Sequence, residues 1–274
     1  HSASSAASDV YKRQGIFLVG CCSWVFTRKD GSDLSLSDGF IITVLFWLVL
    51  SLFGALPFYF LGFSFVDSLF ESMSGITTTG ATVFSGLDEL DKSVLIYRQL
   101  LQWMGGMGLI VLAIAVMPLL GIGGGQLFKT QTPGAMSNQK LTPRITNTAR
   151  ALWLIYLGLT ILCLSSYKLA GMSFFDSFAH ALSTVSIGGF STHDASIGFF
   201  NNINIEIVCM VFMILSAINF SLHYGLIYRK QFLKYFYDPE LRFFLSILFV
   251  ITTVVCISLF TLTDIANPLR YGIF

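Results

Sequence analysis

The chain has 274 residues, of which 54% are hydrophobic and 11% charged, with a net charge of +1. Soluble domains usually carry about 25% charged residues, so this chain lacks the polar groups to clothe a globular surface. That excludes a soluble enzyme, a nucleic-acid binder and a disordered regulator.

The chain opens HSASSAASDVYKRQ, polar and without the apolar region of a signal peptide. Asp9–Gln14 reads as translated sequencing adapter, so residues 1–14 are expected to be a non-native leader. Residues 15–30 read as the remnant of an N-terminal membrane helix, and the ending NPLRYGIF reads as a cut end. Between them, stretches free of Asp, Glu, Lys and Arg cover 39–66, 99–128, 151–167, 207–228 and 243–263. A bilayer core about 30 Å thick takes about 20 helical residues. These five stretches are therefore predicted membrane spans.

Charge orients them. Lys129, Lys140, Arg144 and Arg150 stand in a segment without acids, and Arg229, Lys230, Lys234 and Arg242 outnumber Asp238 and Glu240. Residues 63–97 instead hold Asp67, Glu71, Asp88, Glu89 and Asp91 against a lone Lys92, and residues 171–205 hold Asp176 and Asp194 without Lys or Arg. The positive-inside rule makes the basic segments cytoplasmic and the acidic ones external.

The chain also repeats itself. Displaced by 109 residues, positions 62–82 match at Gly62/Gly171, Ser64/Ser173, Phe65/Phe174, Asp67/Asp176, Ser68/Ser177, Ser74/Ser183 and Gly80/Gly189. Each copy reads as a span, a short segment (64–76 or 173–185), a Gly-containing turn and another span. At 1.5 Å per residue the short segments reach about 20 Å, too short to cross, and so predict re-entrant half-helices. Ser64 and Ser173 stand at N-cap positions, with Asp67 and Asp176 as capping-box partners three residues on. After the half-helices come Thr77-Thr78-Thr79-Gly80 and Ser186-Ile187-Gly188-Gly189, where short side chains leave carbonyls to face an ion. Non-helical backbone at membrane depth is tolerated where it lines water or is buried in protein. Two crossings separate the turns, so the copies are parallel; inverted-repeat transporters have the opposite relation.

The resulting layout is repeat one at 38–122, a basic cytoplasmic loop at 123–146, repeat two at 147–231 and the opening span of a third repeat at 239–263. The expected fold is an all-α polytopic membrane protein of parallel span–pore-half-helix–span repeats. Cys21, Cys22, Cys163, Cys209 and Cys256 lie in apolar runs with no CxxC pair, which implies neither a disulfide framework nor a zinc site. Arg98 sits in the outer part of its span, placed either to snorkel or to pair with an outer acid such as Glu71. Gly105-Gly106-Met107-Gly108 reads as a close helix-packing surface, Lys168 as an interfacial anchor and His193-Asp194 as an external loop contact. Asp88, Glu89 and Asp91 either gather cations at the mouth or form a plain solvated loop.

FESMSGITTTGAT (70–82), YRQLLQWMGGMGLIVLAIAVMPLLGIGG (97–124) and STVSIGGFSTHDASIG (183–198) resemble the TrkH/KtrB/HKT superfamily of potassium transporters, most of all its bacterial TrkH members. The resemblance spans residues 15–274 and implies four repeats, of which this sequence holds the first two. It implies a potassium filter lined by carbonyls of Thr78 and Thr79 with Gly80, and of Ile187 and Gly188 with Gly189. Gly at position 80 is similar to potassium-selective members; Ser there goes with sodium-permeable plant relatives. It further implies a homodimer in the bacterial inner membrane, gated by a cytosolic, nucleotide-binding TrkA-like ring. Potassium would be the transported ion, with no organic cofactor and no nucleic-acid partner. The rival reading is an ion-coupled secondary transporter of another monovalent cation, which calls for mid-span acids. The runs 39–66, 99–128 and 243–263 contain none. A membrane enzyme would call for paired titratable groups at one depth, and these runs lack them too.

Overall fold

The computed structural model describes residues 36–116, 141–262 and 268–274. The expected leader 1–14, the helix remnant 15–30 and most of the basic loop 123–146 lie outside them. Two units divide the chain, His1–Asp38 and Gly39–Phe274, and the second holds both short helices of the repeats. Among the described residues the regular structure is all helical.

Repeat one comprises α1 (Leu36–Phe60), α2 (Phe65–Ile76) and α3 (Lys92–Val116). Repeat two comprises α4 (Leu141–Leu169), α5 (Phe174–Val185), α6 (Ile203–Ala217) and α7 (Phe220–Arg229). A short α8 (Phe232–Tyr237) leads to α9 (Pro239–Leu262), followed by α10 (Pro268–Ile273). Helix α4 reaches back to Leu141, into the segment expected as loop. Thr43–Phe60, Ala149–Leu169 and Pro239–Thr261 are each long and apolar enough to cross a membrane. Their outward side chains are apolar, with Leu48, Ile161 and Phe249 exposed, as suits helices facing lipid.

The short helices are the predicted half-helices. Each has 12 residues, about 18 Å at 1.5 Å per residue. Ser64 Oγ accepts the Asp67 N–H at 3.1 Å and donates to Asp67 Oδ2 at 2.7 Å. Ser173 does the same with Asp176, at 3.1 and 2.6 Å. The carboxylate thus orients the capping hydroxyl and adds negative charge at the positive helix end. Replacing Ser64 or Ser173 with Ala is expected to lower stability by about 1 kcal/mol each. Thermal unfolding in detergent checks this, with Ser165→Ala on the exposed side of α4 as the neutral comparison.

Helix α3 is central, packing against α2, α4 and α5, while α5 also packs on α4 and α6. Each repeat has its own apolar core: Phe58, Ile76, Phe84 and Leu101 in the first, Tyr156, Tyr167, Val185 and Phe212 in the second.

The run 207–228 is not one straight span. Helices α6 and α7 meet at 88°. Ile218 is extended, and Asn219 caps α7 by accepting the Ser221 N–H at 3.0 Å. The Asn side chain offers the backbone an alternative to continuing the helix. His223 Nε2 pairs with Leu215 O at 2.9 Å across the bend and ties the two helices together.

Candidate ion-path segments

Both half-helices end in one backbone motif. Thr77 and Ser186 close the helices, and Thr78 and Ile187 follow, both left-handed with φ 55°. Two residues later Gly80 and Gly189 are left-handed again, at φ 79° and 85°. The N–H groups of Thr77, Thr78 and Thr79 bond back to Met73 O, Gly75 O and Ser74 O at 2.9, 3.0 and 2.9 Å. Those of Ser186, Ile187 and Gly188 bond to Leu182 O, Thr184 O and Ser183 O at 3.3, 3.1 and 2.9 Å. This is a Schellman closure, which usually places Gly at the left-handed position. Here it is β-branched Thr and Ile, a conformation that costs roughly 1–2 kcal/mol per residue. Such outliers gather where function fixes the backbone. The trans peptide sets each carbonyl opposite its N–H, so the Thr78 and Ile187 carbonyls turn away from their half-helices.

The two segments touch. A Cβ added to Gly80 would overlap the carbonyl oxygen of Gly188, and Gly80 Cα lies within 4.0 Å of where a Gly189 Cβ would stand. Of the six residues predicted to line the path, the structure thus brings Gly80 against Gly188 and Gly189 and gives Thr78 and Ile187 matched conformations. The Gly188 carbonyl also accepts Gln102 Nε2 at 2.7 Å.

A polar layer lies behind the segments. Glu71 on α2 and Arg98 on α3, both 0% exposed, form an ion pair at 2.6 Å. Arg98 also donates to Thr82 Oγ1 and to the Ser191 carbonyl, each at 3.0 Å. Glu71 accepts Thr82 Oγ1–H at 2.9 Å and the Val83 N–H at 3.2 Å. In repeat two, His180 Nε2 pairs with Ser191 Oγ at 3.0 Å and Nδ1 with Asp176 O at 2.9 Å. The predicted pairing of Arg98 with Glu71 is present, and the snorkelling alternative is not. Gly105 of α3 backs on to the Ile76 carbonyl and Gly106 on to Ser186, so the glycine cluster serves close packing.

Sequence reasoning missed Gln102, His180 and Ser191. The register that aligns Gly80 with Gly189 also sets Glu71 opposite His180 and Thr82 opposite Ser191, a signal hidden because the residue types differ. Gln102 falls opposite Val211, so the repeat gives no sign of it.

Outside this layer, His193 bridges Asp88, in the loop between α2 and α3, and Asp176 of the second half-helix, stacked on Phe199 at 3.5 Å. Asp194 accepts the Leu87 N–H at 3.1 Å. The hydrogen bond from His193 holds the Asp88 carboxyl below the usual carboxylate range. His193-Asp194 is the loop contact predicted, whereas Asp88 belongs to a tie between repeats rather than to a free solvated loop. Lys168 Nζ donates to Met172 O at 3.3 Å at the C-terminal end of α4. Among the described residues no cluster of His, Cys, Asp and Glu could hold a metal ion.

Residues 13–269 match the family model described as TrkH, cation transport protein. The chain is 47% identical over 261 residues to the Trk system potassium uptake protein TrkH of Halomonas elongata, covering 93% of this chain and 54% of that protein. It is 50% identical over 234 residues to the Trk system potassium uptake protein TrkG of Escherichia coli, covering 84% and 48%. Its fold is similar to the crystal structure of the potassium transporter TrkH from Vibrio parahaemolyticus, with a TM-score of 0.82 and 44% identity over 93% of this chain and 53% of that one. The chain spans about half the length of the curated relatives it matches.

Proposed function

The chain belongs to the TrkH family of cation transport proteins, not to an enzyme family, and from that premise we propose that it forms two quarters of a potassium path in a Trk-type uptake system. Potassium exchanges its water shell for carbonyls of Thr78, Thr79 and Ile187, while the Gly188 carbonyl, tied back by Gln102, fixes the backbone that Gly80 and Gly189 allow to turn. Replacing hydration by rings of backbone carbonyls is how a dehydrated monovalent cation is held. The observation that carries this reading is the pair of contacting segments with left-handed residues in register at 78 and 80 and at 187 and 189. The further proposals are a homodimer in the bacterial inner membrane, turns on the external side, and a TrkA-like cytosolic ring gating from the side of the basic loop. The names of the Trk-system relatives and the charge asymmetry of the loops support them.

The test joins this chain to the complementary half of the Vibrio parahaemolyticus relative and expresses the chimera in cells lacking their own potassium uptake. Growth at limiting potassium and uptake of radioactive rubidium are expected. An abundant, membrane-inserted chimera that takes up neither ion would overturn the reading. Alone in liposomes, the 274-residue chain is expected to give no potassium-selective flux, because two segments close half a coordination ring.

A further inference from the structure

Gly189 is one of two glycines in the second segment, free to turn where other residues are not, and it is held left-handed at φ 85°. Its two flanking peptide groups meet a single side chain. Gln102 Nε2 donates to the Gly188 carbonyl at 2.7 Å, and Gln102 Oε1 accepts the Phe190 N–H at 3.1 Å. Ser183 Oγ donates to the same Oε1 at 2.9 Å. The amide cannot be reversed, since its NH2 would then face the Phe190 N–H, donor against donor. Gln102 itself is 0% exposed, so water does not compete for these bonds.

Gln102 stands on α3 of repeat one, one turn below Arg98, and clamps a segment of repeat two. The clamp reaches repeat one again through contact, because the Gly188 oxygen it holds is the atom against which Gly80 packs. Repeat two has Val211 at the corresponding position, so one amide serves both segments.

We infer that Gln102 is a positioning residue for cation selection: by fixing both peptide planes of Gly189, it sets the carbonyl geometry of the second segment and, through Gly188, the seat of Gly80. The inference rests on the reading that 78–80 and 187–189 line the ion path. Gln102 does not touch the ion; it acts through the backbone it holds.

The experiment uses the chimera and measures rubidium uptake against sodium competition. Gln102→Met keeps the size and removes every bond. Losing a buried hydrogen bond of ordinary strength corresponds to about tenfold in preference. Gln102→Glu separates positioning from bulk packing. An ionised carboxylate keeps the acceptor for Phe190 but has no donor for Gly188, while the protonated acid has both. Its potassium preference is therefore expected to be kept where the acid is protonated and to fall as rising pH ionises it. The titratable groups around it are Glu71 on α2, Arg98 on α3 and His180 on α5, and the unmutated chimera at each pH corrects for their own titration. Where Gln102→Met fails to accumulate, the Gln102→Glu profile decides alone. An unchanged ion ratio in Gln102→Met, or a Gln102→Glu ratio that does not vary with pH or that stays low in acid, would overturn the inference. An unmutated chimera that conducts without potassium preference would instead strike the reading on which it rests.

Discussion

Gly80→Ser in the chimera is expected to reduce the preference for potassium over sodium by at least about tenfold, which is about 1.4 kcal/mol of discrimination between the two ions. Two effects act together. Gly80 is left-handed at φ 79°, and its missing Cβ would occupy the space of the Gly188 oxygen. A side chain there strains the first segment by roughly 1–2 kcal/mol and also pushes the second segment outward. Carbonyl rings hold a dehydrated ion through their number and placement, so a shifted Gly188 peptide alters the site for potassium most. Gly62→Ala is the matched control. Gly62 is also left-handed, at φ 101°, but nothing lies within 4 Å of its added Cβ. That variant bears the backbone strain without the collision and is expected to keep its ion ratio. Competition uptake of rubidium against sodium reads both, and equal ratios in the two variants would remove Gly80 from the path.

The largest loss of stability is expected at the ion pair. Arg98→Met leaves the Glu71 carboxylate buried without its cation, and breaking a buried pair from one side costs about 3–5 kcal/mol. Glu71→Leu strands the guanidinium in the same way. The double variant, with two apolar side chains of similar size, is expected to regain most of that loss, since buried pairs add little over good packing. Its ion selectivity should not return, because Thr82 Oγ1 and the Ser191 carbonyl lose the donor that ties them together. Thermal unfolding in detergent gives the stability cycle, and competition uptake gives the selectivity. A double variant as unstable as Arg98→Met, or one with native ion preference, would contradict this account.

Much of this architecture was legible in the sequence wherever a feature is local or repeated. The N-caps at Ser64 and Ser173 follow from a hydroxyl and a carboxylate three residues apart, and the 109-residue register fixes both at once. Arg98 was readable as a partner of Glu71 because a charge inside a span needs one. Its hold on Ser191 was not, since that contact exists only after two repeats have packed. The break in 207–228 escaped because a hydropathy run weighs Asn219 as one polar residue and is blind to its capping bond. Glu71 and His180 do the same work with different chemistry, which an identity count passes over. Gln102 lacks even a counterpart, so only the folded contact between repeats identifies it.

The closures that end α2 and α5 have an effect on the sign of what may approach. At 77–79 and 186–188 every amide hydrogen is already spent on the helix behind it. Chloride, which needs such hydrogens to replace its water, would meet only oxygen there. On the proposed path, backbone folding alone would then disfavour anions before any discrimination by ionic radius begins.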